Sequence, residues 1–215
     1  MTPAPLHLPL LHAVTSDEIV ARPDFLDRAR RFARAAGARG AIHLRGHRQT
    51  GRRLYDLAET LAGLQRETGC WLLVNDRADV ALVSGAMGVQ LTSRSLSVSD
   101  ARHVAPGLAI GASVHDVEEG VLAAHAGADW IVAGHVFPTA SHPDDPARGP
   151  RLVSALARRT RIPIIAIGGI VPRRVPRLRA AGAHGVAAIR GIWDADDAGR
   201  AAIDYLTQHD ADGPG

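Results

Sequence analysis

Eight short apolar segments, separated by amphipathic segments, constrain the fold of this chain more than any other feature. The apolar segments span residues 10–15, 40–45, 71–75, 88–91, 109–113, 130–135, 164–167 and 186–189. Many of their residues are β-branched, which is typical of strands buried on both faces of a parallel sheet. The intervening segments 25–36, 52–66, 117–126, 152–159 and 173–181 have the apolar spacing of helices. Eight strand–helix units predict an α/β fold, a single closed (β/α)8 TIM barrel.

The main alternative is an open, doubly wound sheet. No G-x-G-x-x-G motif follows the first predicted strand, which counts against that fold. A short Ala/Gly repeat favours the barrel, because Gly37, Gly85, Gly127 and Gly182 each end a predicted helix just before a strand. We expect left-handed backbone at these four glycines. The barrel is predicted to occupy residues 1–207, and the polar tail 208–215 is predicted to be disordered.

Composition narrows the classes of function. The chain has 215 residues, of which 46% are hydrophobic and 22% charged, a profile typical of one soluble domain. No apolar run reaches the roughly 18 residues that cross a membrane, and the apolar N-terminus lacks the basic region of a signal peptide. The single cysteine is consistent with a cytoplasmic location. A monomer and a homo-oligomer both remain open.

The basic residues count against a nucleic-acid-binding protein and against an enzyme that uses a lysine. The net charge is +3, but basic and acidic residues are interspersed and aromatic residues make up only 4%, so we expect no nucleic-acid partner. All 25 basic residues other than histidine are arginine. Without lysine, catalysis through a lysine Schiff base is excluded.

In a (β/α)8 barrel, functional side chains lie at the C-terminal ends of the strands. The second predicted strand ends in His43 and Arg45, which share one face by alternation and are expected to point into the mouth of the barrel. Arg45 is suited to bind a phosphate or carboxylate, or to pair with a structural acid, and the sequence leaves both open. Asn75 is a further candidate for the site, whereas Asp76 is expected to cap the next helix.

The fifth and sixth predicted strands end in polar residues as well. Ser113 is suited to donate to a phosphate. Gly134 is expected to leave room for a ligand, and His135 is either a proton carrier or a structural histidine. The long loop 138–150 is typical of an active-site lid, and Thr139 within it is a candidate substrate-binding residue.

The last two predicted strands are followed by glycine-bearing turns. Gly168 and Gly169 follow the seventh strand, and Arg190 and Gly191 follow the eighth. These two loops commonly bind phosphate in this fold, because glycine lets backbone N–H groups approach an anion. The sequence therefore predicts a small phosphorylated ligand. The acidic and histidine residues of loop 138–150 lack a convincing metal-ligand spacing, so no metal site is expected.

The chain resembles the thiamine phosphate synthase superfamily over residues 10–193, and within it the TenI-like thiazole tautomerases. The resemblance rests on the segments 13–15, 42–45, 74–82, 88–91, 111–115, 134–139 and 163–170. It implies a (β/α)8 barrel that binds phosphorylated thiazole compounds.

The similarity to the synthase branch is incomplete. Synthases join a pyrimidine diphosphate to a thiazole phosphate and release pyrophosphate with magnesium. Where they carry Gln-x-Arg-Glu-Lys after the second strand, this chain has His43, Arg45 and His47, and where they carry an acidic pair it has Thr92 and neighbouring serines. They also use a lysine, which this chain lacks. Asp76 matches one metal-binding aspartate of the synthases, but a single carboxylate is a poor magnesium site for pyrophosphate.

The tautomerase branch carries the same Gly-His-Val-Phe that stands here at residues 134–137, and an Ile-His-Ile-Arg close to residues 42–45. The resemblance thus implies a tautomerase that isomerises a carboxylated dihydrothiazole phosphate to the aromatic carboxythiazole phosphate, with no metal or cofactor. The resemblance assigns proton transfer to His135 and binding of the substrate carboxylate to Arg45 and His43. It assigns binding of the phosphate to Gly168, Gly169, Arg190, Gly191 and Ser113. Gly46, His47 and Arg190 depart from the tautomerase pattern. A transferase of the synthase type and a non-catalytic phosphate-binding barrel are the alternatives.

Overall fold

Eight parallel strands form the closed barrel that the apolar segments predict. The computed structural model describes residues 7–139 and 145–211. Each strand pairs with the next in the chain, and the last pairs with the first. The strands are β1 (Leu11–Val14), β2 (Gly40–Leu44), β3 (Trp71–Asn75), β4 (Gly88–Leu91), β5 (Ala109–Val114), β6 (Trp130–Ala133), β7 (Ile164–Ile167) and β8 (Gly185–Ala188). The predicted fold class is confirmed.

Helices surround this barrel. They are α1 (Asp17–Val20), α2 (Phe25–Ala36), α3 (Gly51–Thr68), α4 (Ala78–Ser84), α5 (Val98–Val104), α6 (Val117–His125), α7 (Pro150–Arg159), α8 (Val175–Ala180), α9 (Arg190–Trp193) and α10 (Ala198–Asp210). None of these described helices combines the length and apolar character needed to cross a membrane.

Alternation along the strands divides the core into two layers. One set of side chains packs outward against the helices, as Leu44, Leu72 and Ile131 do. The other set fills the inside of the barrel, where Leu73, Trp130 and other apolar residues meet. Polar residues of the inner set therefore point into the barrel, and those beyond the C-terminal ends of the strands lie at its mouth.

All four junction glycines have a positive φ, as expected, but Gly37, with ψ of −142°, lies outside the left-handed helical region. Gly37, Gly85, Gly127 and Gly182 have φ of 53°, 74°, 92° and 98°. Each turns the chain from a helix back into the barrel, a conformation that glycine adopts without a Cβ penalty.

The C-terminal helix continues into the segment predicted to be a disordered tail from residue 208. Helix α10 ends at Asp210, whose carboxylate accepts hydrogen bonds from Arg39, and the Ala211 carbonyl accepts one from Arg179. Residues 212–215 of that tail lie outside the described residues.

Candidate active site at the C-terminal end of the barrel

His43 lies inside the barrel rather than at its open mouth. It is only 1% exposed, and its Nε2 lies 2.7 Å from Nδ1 of His12 on β1. The other ring nitrogen of His12 lies 3.1 Å from the Pro9 carbonyl, which can only accept a hydrogen bond. His12 Nε2 therefore donates to Pro9, and His12 Nδ1 accepts from His43. This partner across the β1–β2 ladder explains why His43 does not reach the position expected from alternation alone.

The two buried histidines are held neutral. Burial lowers the pKa of His43 from 6.5 to about 4, partly offset by the side chain of Asn75. Burial also holds the pKa of His12 well below its usual value, with the neighbouring His43 lowering it further. With both rings neutral, the direction of the hydrogen-bond chain is fixed: His43 donates to His12, and His12 donates to the Pro9 carbonyl.

Arg45 follows β2 and is half-buried at the rim. Its backbone is held by Thr15, whose Oγ1 accepts from the Arg45 N–H at 2.8 Å and donates to the Arg45 carbonyl at 3.0 Å. Within residues 7–139 and 145–211, no acid or carbonyl pairs with its guanidinium. Of the two roles that the sequence leaves open, this geometry favours anion binding over a structural ion pair.

Asp76 does not cap helix α4, so that prediction is wrong. The helix begins after Arg77 without a side-chain cap. The Asp76 backbone is left-handed, with φ of 62°, and its Oδ1 accepts hydrogen bonds from the loop after β4. The donors are the Thr92 N–H at 3.0 Å, the Thr92 hydroxyl at 2.7 Å and the Ser95 hydroxyl at 2.8 Å. Three donors from the adjacent loop therefore outcompete the helix terminus.

The neighbourhood of Asp76 also bears on magnesium, which the resemblance associates with the synthase reaction. Oδ2 of Asp76 is buried without a hydrogen-bond partner, and His47 Nδ1 lies 3.8 Å away. Thr92 stands at the position where synthases carry an acid. Its hydroxyl donates a hydrogen bond to Asp76. No group of three or more His, Cys, Asp or Glu side chains converges in the described part of the chain. One carboxylate with a saturated oxygen does not fit a protein-built magnesium site.

Ser113 lies at the mouth end of β5 and is half-buried. Its Oγ lies 3.1 Å from Nε2 of Gln90, and Oε1 of Gln90 accepts from the indole N–H of Trp130 at 3.0 Å. Gln90 and Trp130 are buried, with exposed fractions of 2% and 0%. Sequence reasoning missed both residues. The available signal was a glutamine in an otherwise apolar strand.

The glycines at the ends of β6 and β7 are required by packing. A Cβ on Gly134 would lie 2.5 Å from Ile167 Cγ2, so the space expected for a ligand is filled by Ile167. A Cβ on Gly168 would lie 2.4 Å from the Cβ of His135, and one on Gly169 would lie 2.5 Å from the Pro138 carbonyl oxygen. The expectation for Gly134 is corrected, since the two strand ends approach each other too closely for any side chain there.

His135 anchors the loop that follows β6. Its ring is buried, and Nε2 lies 3.1 Å from the Asp145 carbonyl, to which it must donate. Its own carbonyl accepts from the Arg148 N–H at 3.0 Å. Thr139 is half-buried in the same loop. The rest of the predicted lid, residues 140–144, lies outside the described residues, as do His142 and Asp144.

The loops after β7 and β8 are held by two further contacts. Arg174, which sequence reasoning missed, donates to the Gly169 carbonyl and lies over the Phe137 ring at 4.3 Å from its centroid. A Cβ on Gly191 would lie 2.3 Å from the Tyr205 hydroxyl, so a side chain at this position would clash with Tyr205. Arg190 is exposed, and its guanidinium has no partner within the described ranges.

The structure thus brings most of the predicted residues to one end of the barrel. Arg45, Asn75, Ser113, His135 and the Gly168–Gly169 turn follow or end different strands at that rim, and His43 lies deeper. The fold is a (β/α)8 barrel, and its mouth carries the Arg45 and Arg190 guanidinium groups, which have no partner among residues 7–139 and 145–211, together with the Ser113 hydroxyl.

Comparison with known proteins identifies the family. The family described as "Thiamine monophosphate synthase" matches residues 11–192, and the chain belongs to it. A thiamine-phosphate synthase of Chlorobium luteolum is 39% identical over 91% of both chains, and one of Pyrococcus furiosus is 36% identical over 77% of this chain and 80% of that one. The solved structure of "Thiamine phosphate pyrophosphorylase from Pyrococcus furiosus" covers 93% of this chain and 95% of its own, with 32% identity and a TM-score of 0.83.

These relatives contradict the tautomerase expectation. Proteins that are 34% to 44% identical to this chain are named thiamine-phosphate synthase. The tautomerase expectation depended mainly on four residues at the end of β6, whereas the similarity to the synthases extends along the barrel. The role of proton carrier that the resemblance assigned to His135 belonged to the tautomerase reaction. What the structure shows for this ring is the contact with Asp145.

Proposed function

We propose that this protein is a transferase that joins a pyrimidine diphosphate to a thiazole phosphate and releases pyrophosphate. The observation that carries the proposal is the 39% identity, over 91% of both chains, to a protein named thiamine-phosphate synthase. Arg45 and Arg190 add support, because their guanidinium groups have no partner among the described residues and both substrates are anions.

The chemical demand of this reaction is stabilisation of a leaving group. The bond between the pyrimidine-bearing carbon and the diphosphate oxygen breaks with its electron pair, while the thiazole nitrogen supplies the pair for the new carbon–nitrogen bond. The thiazole nitrogen is itself the nucleophile, so the reaction needs no nucleophile from the protein. Cations and hydrogen-bond donors that meet the departing diphosphate lower the barrier.

Arg45 and Ser113 are the residues to which we assign the diphosphate. The Arg45 guanidinium is half-buried and unpaired among the described residues, so it can bind a phosphate group with two parallel hydrogen bonds. Asn75 ends β3 at the same end of the barrel, and its buried Oδ1 has no hydrogen-bond partner in the described structure. We assign Asn75 and Thr139 to contacts with the substrate rings.

The thiazole phosphate is assigned to the turns after β7 and β8. Gly168 and Gly169 keep the backbone of one turn free of side chains, and Arg190 supplies an exposed cation on the other. Gly191 belongs to the same turn. Arg174 positions the first turn through the Gly169 carbonyl. Because the side chains around Asp76 do not fit a magnesium site, no step of this proposal runs through a metal.

The test is direct. The protein is incubated with the pyrimidine diphosphate and the thiazole phosphate in magnesium chloride, pyrophosphate is measured by a coupled assay, and the joined product is measured by mass spectrometry. We expect both products in equal amounts. Absence of both, under conditions in which a thiamine-phosphate synthase is active, overturns the proposal. Binding of thiazole phosphate without turnover would instead identify a non-catalytic barrel.

A further inference from the structure

A buried hydrogen-bond chain inside the barrel ends at the hydroxyl of Ser113. It begins at the Trp130 indole, passes through the Gln90 amide and reaches Ser113 Oγ, with distances of 3.0 Å and 3.1 Å. The three residues come from β6, β4 and β5, and the first two are buried.

The chain has only one possible direction. An indole N–H can donate but never accept, so the oxygen of the Gln90 amide must face Trp130. The amide nitrogen then faces Ser113 and donates to Oγ, with its second hydrogen near the Leu91 carbonyl at 3.5 Å. The opposite amide orientation would place two donors against each other.

It follows that the Ser113 proton cannot point to Gln90. Within residues 7–139 and 145–211, no acceptor for the Ser113 hydroxyl is found. The side chain is half-buried at the mouth end of β5, so the proton faces the site. A hydroxyl that accepts one hydrogen bond also becomes a better donor in the next.

Packing holds the orientation in place. A Cβ at position 111 would lie 2.2 Å from Trp130 Cε2 and 2.4 Å from Gln90 Oε1. Gly111 is therefore what allows the indole and the amide to approach each other across β5. Neither ring nor amide has solvent to turn toward, because both are buried.

We propose that Gln90 and Trp130 are positioning residues that set Ser113 as a hydrogen-bond donor to an anionic oxygen of the diphosphate substrate. This inference rests on the proposed function, since it assumes that the mouth binds a diphosphate. It adds the residues that decide which way the serine hydroxyl points.

The probe for the test is inorganic pyrophosphate, titrated by calorimetry into the full chain and its variants. Ser113→Ala removes the donor and should weaken binding by about 10-fold or more. Gln90→Glu keeps an acceptor for Trp130 but turns a second acceptor to Ser113, which then donates inward. Gln90→Met is the matched apolar control, which frees the hydroxyl without reversing it.

We expect Gln90→Glu to weaken pyrophosphate binding by about 10- to 100-fold and Gln90→Met by only a few-fold. The added charge also repels the anion, so Gln90→Glu is repeated in Ser113→Ala, where only that repulsion remains. The Gln90→Glu effect should shrink clearly in this background. Thermal unfolding of each variant reports folding separately.

The outcomes separate the two proposals. If the unaltered protein does not bind pyrophosphate, the site assigned under the proposed function fails, and this inference fails with it. If Ser113→Ala weakens binding but Gln90→Glu has the same effect with and without Ser113, only the positioning role is wrong. Unchanged binding in Ser113→Ala overturns the donor role of the serine.

Discussion

Arg45 and His43 stand two residues apart on one face of the chain, yet their surroundings give them opposite properties. The His43 ring is buried and hydrogen-bonded to His12, whereas the Arg45 guanidinium sits at the rim without a described partner. Depth along the barrel axis, rather than the face of the strand, thus separates the buried His43 from Arg45, the residue to which we assign the diphosphate.

At this scale, Arg45→Met should weaken inorganic pyrophosphate binding by about 10- to 100-fold, because a charge-assisted pair of hydrogen bonds is lost. The midpoint of thermal unfolding should change little, since no described ion pair is broken. Arg48→Met is the matched control: this arginine lies in the same loop but pairs with Asp17 and Glu18 on the surface. Equal losses in the two variants would show that only the net charge matters.

The buried histidine pair predicts a pH dependence of stability. Below pH 6.5 the unfolded chain takes up a proton at His43, whereas the folded protein takes it up only near pH 4. The free energy of unfolding should therefore fall as the pH is lowered from about 6.5 to 4, with about 3 kcal/mol from His43.

Urea unfolding at several pH values measures this loss. His43→Gln retains a donor for His12 and should reduce the pH dependence without removing it, because burial still lowers the pKa of His12. His103→Gln, on the exposed surface of α5, is the matched control and should leave the pH dependence unchanged. A His43→Gln variant with the original pH dependence would contradict the assignment.

Among the elements, the ends of β6 and β7 depend on each other. Val136 and Phe137 donate to the Ile167 and Gly168 carbonyls at 2.8 Å and 3.1 Å, which brings the two backbones into contact. The glycines there serve this contact first, and the backbone of the same turn is what we assign to the thiazole phosphate.

Gly168→Ala should accordingly destabilise the protein by about 3 kcal/mol, because a positive φ and a contact with His135 act together. Gly127→Ala is the control. It has a similar φ of 92° with no atom within 4 Å of the added Cβ, so it should cost only about 1 kcal/mol. Chemical denaturation of both variants isolates the contact, and equal losses would mean that the backbone angle alone matters.

For the whole molecule, stability depends on closing the barrel between its first and last strands. Gly185 begins β8, and a Cβ there would lie 2.4 Å from the Leu10 carbonyl oxygen beside β1. The contact between β8 and the residue before β1 therefore leaves no room for a side chain at position 185.

Gly185→Ala should lower the free energy of unfolding by about 2 kcal/mol or more, since overpacking at backbone cannot be relieved by a rotamer change. Gly63→Ala, in helix α3 with only the tip of Arg66 at 3.9 Å, should instead stabilise the protein by up to about 1 kcal/mol. Both changes are measured by urea unfolding. An unchanged free energy of unfolding in Gly185→Ala would show that β1 and β8 can move apart without cost.

The strands and the five predicted helices could be placed from the sequence because the patterns that define them are local. Hydrophobic periodicity located the ends of these strands and helices to within about two residues. The glycines at the helix–strand junctions indicated where the backbone has a positive φ. Topology then placed Arg45, Asn75 and Ser113 at the correct end of the barrel, because parallel strands end together.

Side-chain partners could not be predicted this way. His43 is held by a histidine 31 residues earlier, Asp76 by a loop 16 to 19 residues later, and the space beside Gly134 is filled by Ile167. These contacts depend on the register and the close approach of neighbouring strands, which no local pattern encodes. The sequence by itself thus determined the barrel and the end at which the candidate site residues lie. Only the tertiary structure decided which polar residues bind each other and which remain open to a ligand.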